Sequence, residues 1–372
     1  MKDQKLTEIL FASLKGEAKL FKEEEWVKAG DFACEMRFFP HAFQCYQRAN
    51  ELKKSELTLQ KINTTLDKIT NVLEDIPEKL KSQVEEIRLS NPLDPAKWLG
   101  ITNLILKEYS DELAQENLSD DTEDAAKFAL AFAIYCAKRT GSPIEEMNKV
   151  LIDLDVQEML VNTEKKLDLV KLADSKNDEP IKVVCFGDNI SLGLLPDWSI
   201  AFGETYHYLW SKEVDKTISL ANNSISGAGV LDLCLYARRD IFNYKPDIAI
   251  IMLGNVDAWL GKEALPAFKI LYSAMLKIIK KHGVEPVVVS AIPQITKNIA
   301  DQDLTPGFNR DDYQIEGFVN AAKQAALENE VVFVNAHKYL PAQENYYANA
   351  CTQPNLEGQN LIKKALLDKT IY

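Results

Sequence analysis

The feature that most constrains this chain is a change of hydrophobic period near residue 180. Beyond it, short apolar runs at 181–186, 217–221, 247–253, 286–291 and 331–334 alternate with helical patterns at about 228–243, 262–282, 311–329 and 356–368. Apolar runs alternating with helices indicate a parallel sheet buried on both faces, because the crossover helices cover each side. The expected fold class is therefore α/β, with a five-stranded parallel sheet sandwiched by helices over residues 181–372. Ligands in such folds sit beyond the carboxyl ends of the strands. The loops after Phe186, Ala221, Leu253, Ala291 and Val334 are thus the ones that bear on function.

Before the break, residues 1–173 read as an all-helical domain, joined to the rest by a charged linker at 174–180. Within 25–52, Trp26 places a large aromatic at the start of one helix. Gly30 stands where a second helix can approach, and Ala42, Tyr46 and Ala49 stand where the two would touch. Pro40 suits the first turn of the second helix. These offsets resemble the tetratricopeptide repeat, a helix-turn-helix unit, although Ala29 and Ala33 stand where the repeat usually has larger residues. One such unit cannot bury its own face, so its neighbours are expected to be diverged repeats or other helices.

From 56 to 89, Leu59, Ile62, Leu66, Ile69, Leu73, Ile76 and Leu80 alternate spacings of three and four, which is a heptad seam. It reads either as a coiled-coil contact between chains or as one long amphipathic helix packed on its own domain. Pro77 is expected to kink or break it. Further helical patterns run over 96–114, 121–139, 143–154 and 157–172. The helical half is expected to supply the contact with a protein partner or with a second copy of the chain.

Charge and composition remove several function classes. The formal net charge of −13 argues against a nucleic-acid binder, which needs a basic face to release counterions. The first 25 residues lack an apolar core of signal-peptide length, and no run approaches a membrane span. Six cysteines, Cys34, Cys45, Cys136, Cys185, Cys234 and Cys351, are scattered without CxxC pairs, as reduced thiols would be. The expected location is the cytoplasm. No metal-ligand cluster of suitable spacing appears, and the loops around Gly187 and Gly227 match neither GxGxxG nor a Walker motif, so no cofactor is expected.

Four segments carry a resemblance. Residues 186–191 read FGDNIS, 222–227 read NNSISG, 252–258 read MLGNVDA and 350–355 read ACTQPN. In order, spacing and strand context they resemble the four blocks of the SGNH/GDSL hydrolases, over about half the chain. The resemblance implies an SGNH (flavodoxin-like) sheet and an ester-hydrolysing site, with each role falling on a definite position. The serine nucleophile would fall on Asn189, the oxyanion-binding asparagine on Val256, the aspartate on Ala350 and the histidine on Gln353. Gly227 matches the glycine that donates a backbone N–H to the oxyanion.

The chemistry does not survive this alignment. An amide at Asn189 cannot attack a carbonyl as an activated serine does. Gln353 has no titrating nitrogen to act as a base, and Val256 donates nothing. In a well-studied triad enzyme, loss of the nucleophile alone costs about a million-fold in turnover. Loss of one oxyanion donor costs roughly a hundred- to a thousand-fold. The expected function is that of a catalytically inactive hydrolase-like binding or scaffold protein. Its old cleft would take a polar ligand such as a sugar or acyl-sugar through Asp188, Asn189, Gly227, Asn255, Asp257 and Gln353. Amides suit hydroxyl-rich ligands, since each offers a donor and an acceptor.

The alternative is an active esterase or acyltransferase with a rearranged site, pairing His337 with Ser191 or Cys351. The plainer expectation for Ser191 is a capping hydroxyl, and for Cys351 a half-buried thiol. Asp188 and Asp257 also admit a structural role, since in the family these aspartates bond loop backbone.

Overall fold

A computed structural model describes residues 22–35, 39–66, 120–140, 165–176, 179–197, 199–299, 310–349 and 351–372, with isolated positions between them. The described residues open with a helical hairpin. Helix α1 (Glu23–Glu35) carries three glutamates in its first turn, where the helix dipole favours negative charge. Its buried face is Trp26, Ala29, Gly30 and Ala33, spaced to recur on one side of a 3.6-residue turn. Helix α2 (Phe39–Leu52) answers with Ala42, Phe43, Cys45, Tyr46 and Ala49. Gly30 is the point of close approach: a Cβ there would lie 2.4 Å from Cε1 of the Tyr46 ring. The ring is held in place because its hydroxyl donates to Asp31 Oδ1 at 2.7 Å.

Helix α3 (Glu56–Leu66) packs on α2, and Lys61 on it pairs with the same Asp31 carboxylate. Its buried face is Thr58, Ile62 and Thr65, while Leu57 and Leu59 stand 61% and 50% exposed. The expected seam is corrected at its first position, since Leu59 faces outward. Packing selects the threonine face because its hydroxyls are satisfied locally. Thr65 Oγ1 donates to the Lys61 carbonyl, and Thr58 Oγ1 shares a hydrogen bond with Ser55. The rest of the seam, from Ile69 to Leu80, and Pro77 lie outside the described residues.

Helix α4 (Asp120–Thr140) differs from these amphipathic helices. Every residue from Phe128 to Tyr135 is buried, which is the signature of a helix enclosed on all sides. Beyond it, strand β1 (Leu167–Asp168) pairs in parallel with β7 (Thr370–Ile371) at the far end of the chain. Residues 157–172 had a helical pattern, yet 167–168 are extended, with Leu167 and Leu169 both buried against the α/β half. Contacts of that half therefore begin ahead of the linker expected at 174–180.

The central sheet has strands β2 (Ile181–Gly187), β3 (Ile218–Asn222), β4 (Ile248–Met252), β5 (Glu285–Val289) and β6 (Val332–Val334). All pairs are parallel and the order is β3-β2-β4-β5-β6. Each strand falls within two residues of its expected run. Five longer helices cover the sheet: α5 (Tyr206–Glu213), α6 (Val230–Asp240), α7 (Leu265–Lys281), α8 (Ile315–Glu328) and α9 (Leu356–Leu367).

The period-two alternation of the strands sorts the core. Val184, Phe186, Ala249, Ile251 and Val288 face α6, α7 and α8, in the same apolar cluster as α4 and the hairpin. Val183, Cys185, Ile250, Met252 and Val289 face α5 and α9. Helix α4 packs on α7, so it is shared between the two halves of the chain. The strand order reverses between β2 and β4, which opens a crevice at their carboxyl ends.

The closeness of Gly30 to the Tyr46 ring makes a direct test of the hairpin. Gly30→Ala should lower the unfolding free energy by about 1–3 kcal/mol, as overpacking does. Urea unfolding followed by circular dichroism reads this as a lower midpoint. An unchanged midpoint would mean that the ring yields.

Candidate functional site

Three strand ends converge on the crevice, and buried side chains pin each of their loops. Gly187 ends β2 and has no room for a side chain, because a Cβ would lie 2.5 Å from Ser191 Oγ. Asp188 then caps a single helical turn (Asn189–Leu192), its Oδ1 accepting from the Ile190 N–H at 3.0 Å. Asp257 accepts from the Val230 N–H and the Gly254 N–H, each at 3.0 Å, tying the β4 loop to the start of α6. Asn255 Oδ1 accepts from the Ile292 N–H at 2.8 Å, which ties the same loop to the end of β5. Asp188, Asn255 and Asp257 are 2%, 2% and 1% exposed, so all three lie behind the crevice rather than in it.

The nucleophile position holds the most informative contact. Asn189 Oδ1 accepts from the Gly227 N–H at 2.8 Å. Gly227 sits at φ 73°, a left-handed turn that suits glycine and aims its N–H at this loop. The backbone donor matching an oxyanion-binding group is therefore already occupied by the protein's own amide oxygen. Val256 is half-buried at the start of the 3-10 turn Asp257–Leu260 and contributes no donor. Ala350 lies outside the described residues. Gln353 lines the same cleft as Asn189, so these two aligned positions do come together. The Gln353 N–H donates to Asn349 Oδ1 at 2.9 Å. Its side-chain Oε1 is shielded and has no hydrogen-bond partner among the described residues. Leaving such an acceptor unpaired costs about 1–3 kcal/mol.

Ser191, Cys351 and His337 are each engaged by a different partner. Ser191 is fully buried and its Oγ shares a 3.1 Å hydrogen bond with the Tyr206 hydroxyl, so it does not cap a turn. Cys351 is partly buried, and its thiol donates to the Asn349 carbonyl at 3.2 Å. His337 is partly exposed, in the turn Ala336–Tyr339 after β6, and its backbone N–H donates to Ser290 Oγ. Partial burial lowers the pKa of its imidazole, and the nearby Glu316 charge opposes that shift.

Sequence reasoning assigned no role to His207, Asn222 or Gln359, which hold the first loop from beneath. His207 Nε2 and Asn222 Nδ2 both donate to the Ser191 carbonyl, each at 2.8 Å. Gln359 accepts from the Tyr206 N–H and donates to the Ile190 carbonyl, bridging α5, α9 and the loop. A polar residue on the buried face of an amphipathic helix is the signal that marks Gln359. His207 is fully buried, and loss of solvent pushes its pKa down to about 4, against the pull of the Ser191 carbonyl. Nε2 therefore carries the proton, while Nδ1 lies 3.2 Å from Thr205 Oγ1, whose hydroxyl donates to the Phe202 carbonyl.

Among the described residues no group of three or more acidic, histidine or cysteine side chains could hold a metal. No described helix is long and apolar enough to cross a membrane.

No protein-family model matches the chain, and no curated protein matches it. Solved structures are similar over about half of it. A protein described as a GDSL-like lipase, from Parabacteroides merdae, is 19% identical with a TM-score of 0.41, covering 57% of this chain and 99% of that one. A lipase/acylhydrolase from Enterococcus faecalis is 16% identical with a TM-score of 0.42, over 50% and 93% of the two chains. An acetylxylan esterase from Geobacillus stearothermophilus is 20% identical with a TM-score of 0.40, again over 50% and 93%. The structural neighbours of the α/β half are thus GDSL-like lipases, acylhydrolases and acetylxylan esterases.

Asp188 and His207 give the protein opposed pH dependences. Burial raises the Asp188 pKa from 3.8 to about 7; the Ile190 N–H and Asn255 counteract this in part, and the Asp257 charge adds to it. The folded state therefore holds a proton that the unfolded state releases, and stability falls as pH rises from 3.8 to about 7. The full loss is about 4 kcal/mol at most. For His207 the unfolded state binds the extra proton, so stability instead rises between about 4 and 6.5. Asp188→Asn keeps the acceptor for Ile190 and removes the ionisation. Its melting temperature should exceed the wild type's at about pH 8, with the gap closing toward about pH 3. Equal differences at both values would remove Asp188 as the source.

Proposed function

We propose that this chain is a catalytically inactive SGNH/GDSL hydrolase-like protein that works by binding, with its helical half meeting a protein partner or a second copy. The observation that carries the proposal is the 2.8 Å hydrogen bond from the Gly227 N–H to Asn189 Oδ1. It combines two losses in one contact: the position that would bear a nucleophile bears an amide, and that amide fills the surviving oxyanion donor. A preorganised donor accelerates acyl transfer only if it is free when charge develops. Val256 and Gln353 add a missing donor and a missing base.

The ligand class we propose is carbohydrate-related, a sugar or acyl-sugar, by analogy with the hydrolases that the four blocks resemble. The helical hairpin supports a repeat-like binding module, with Gly30 and Tyr46 packed as a tetratricopeptide unit would require. The setting we propose is the cytoplasm. A rearranged active site would need Ser191 or Cys351 within hydrogen-bond reach of His337. The Tyr206 and Asn349 contacts of those two side chains weigh against it.

Hydrolysis of p-nitrophenyl acetate tests the reading. The wild type is compared with a variant carrying Asn189→Ser, Val256→Asn, Ala350→Asp and Gln353→His. Only the repaired variant should turn over, by at least about a hundredfold above the wild type, the scale set by a single oxyanion donor. Turnover by the wild type that disappears in His337→Ala would overturn the proposal and establish the rearranged site.

A further inference from the structure

We draw no further inference here: the strongest candidate, the buried carboxyl pair of Asp188 and Asp257 beneath the crevice, belongs to the site already described, and the pH response it carries is the one derived there.

Discussion

Backbone N–H groups at the carboxyl ends of the parallel strands must be bonded within the protein, and the rest of the α/β half depends on how this is met. The loops leave the sheet in a region closed to water, where an unpaired N–H costs as much as a lost hydrogen bond. Asp188, Asp257 and Asn255 are the buried acceptors that take them. Each of these side chains joins its own loop to itself or to another, so the strand ends form one braced surface. Nothing in the contacts of Asp257 with Val230 and Gly254 involves Asn189 on the loop of the neighbouring strand, so the frame does not depend on which residue stands there.

The same frame sets the electrostatics. Two buried carboxyl groups lie behind the crevice, and the Asp257 charge helps to push the Asp188 pKa toward neutrality. At the crevice itself the polarity is that of amides, because Asn189 and Gln353 stand where a hydroxyl and an imidazole would be expected. The two layers act on different observables. The inner one shapes stability against pH, and the outer one sets the polarity of the crevice.

Much of this was legible in the sequence, and the parts that were not have physical reasons. Strands buried on both faces are nearly continuous apolar runs, so β2 and β4 announced themselves at Ile181 and Ile248. Helix α5 was missed because it spans two turns, has no side-chain cap and is crowded with aromatic residues of weak helix preference. Leu59 was placed on a seam because spacing records periodicity, not which stripe the neighbouring helix selects. Thr58 and Thr65 won that face by bonding their hydroxyls locally. The four aligned blocks located the crevice, yet the hydrogen bond from the Gly227 N–H to Asn189 was invisible. It joins residues 38 apart through tertiary approach alone. The two bonds of Gln359 are of the same kind, spanning 153 and 169 residues.

Helix α4 has one further consequence, for the order of events as the chain is made. Its eight-residue apolar belt, from Phe128 to Tyr135, is complete once residue 140 leaves the ribosome. The helix it packs on, α7, ends at residue 281. At roughly 5–20 residues per second, on the order of ten to thirty seconds pass before the two can meet. The hairpin and α3 are available early, but they do not supply the surface that α7 provides. For that interval the belt lacks the partner that α7 supplies from the α/β half. Truncation before residue 265 would remove α7 and with it the surface that α7 gives this belt.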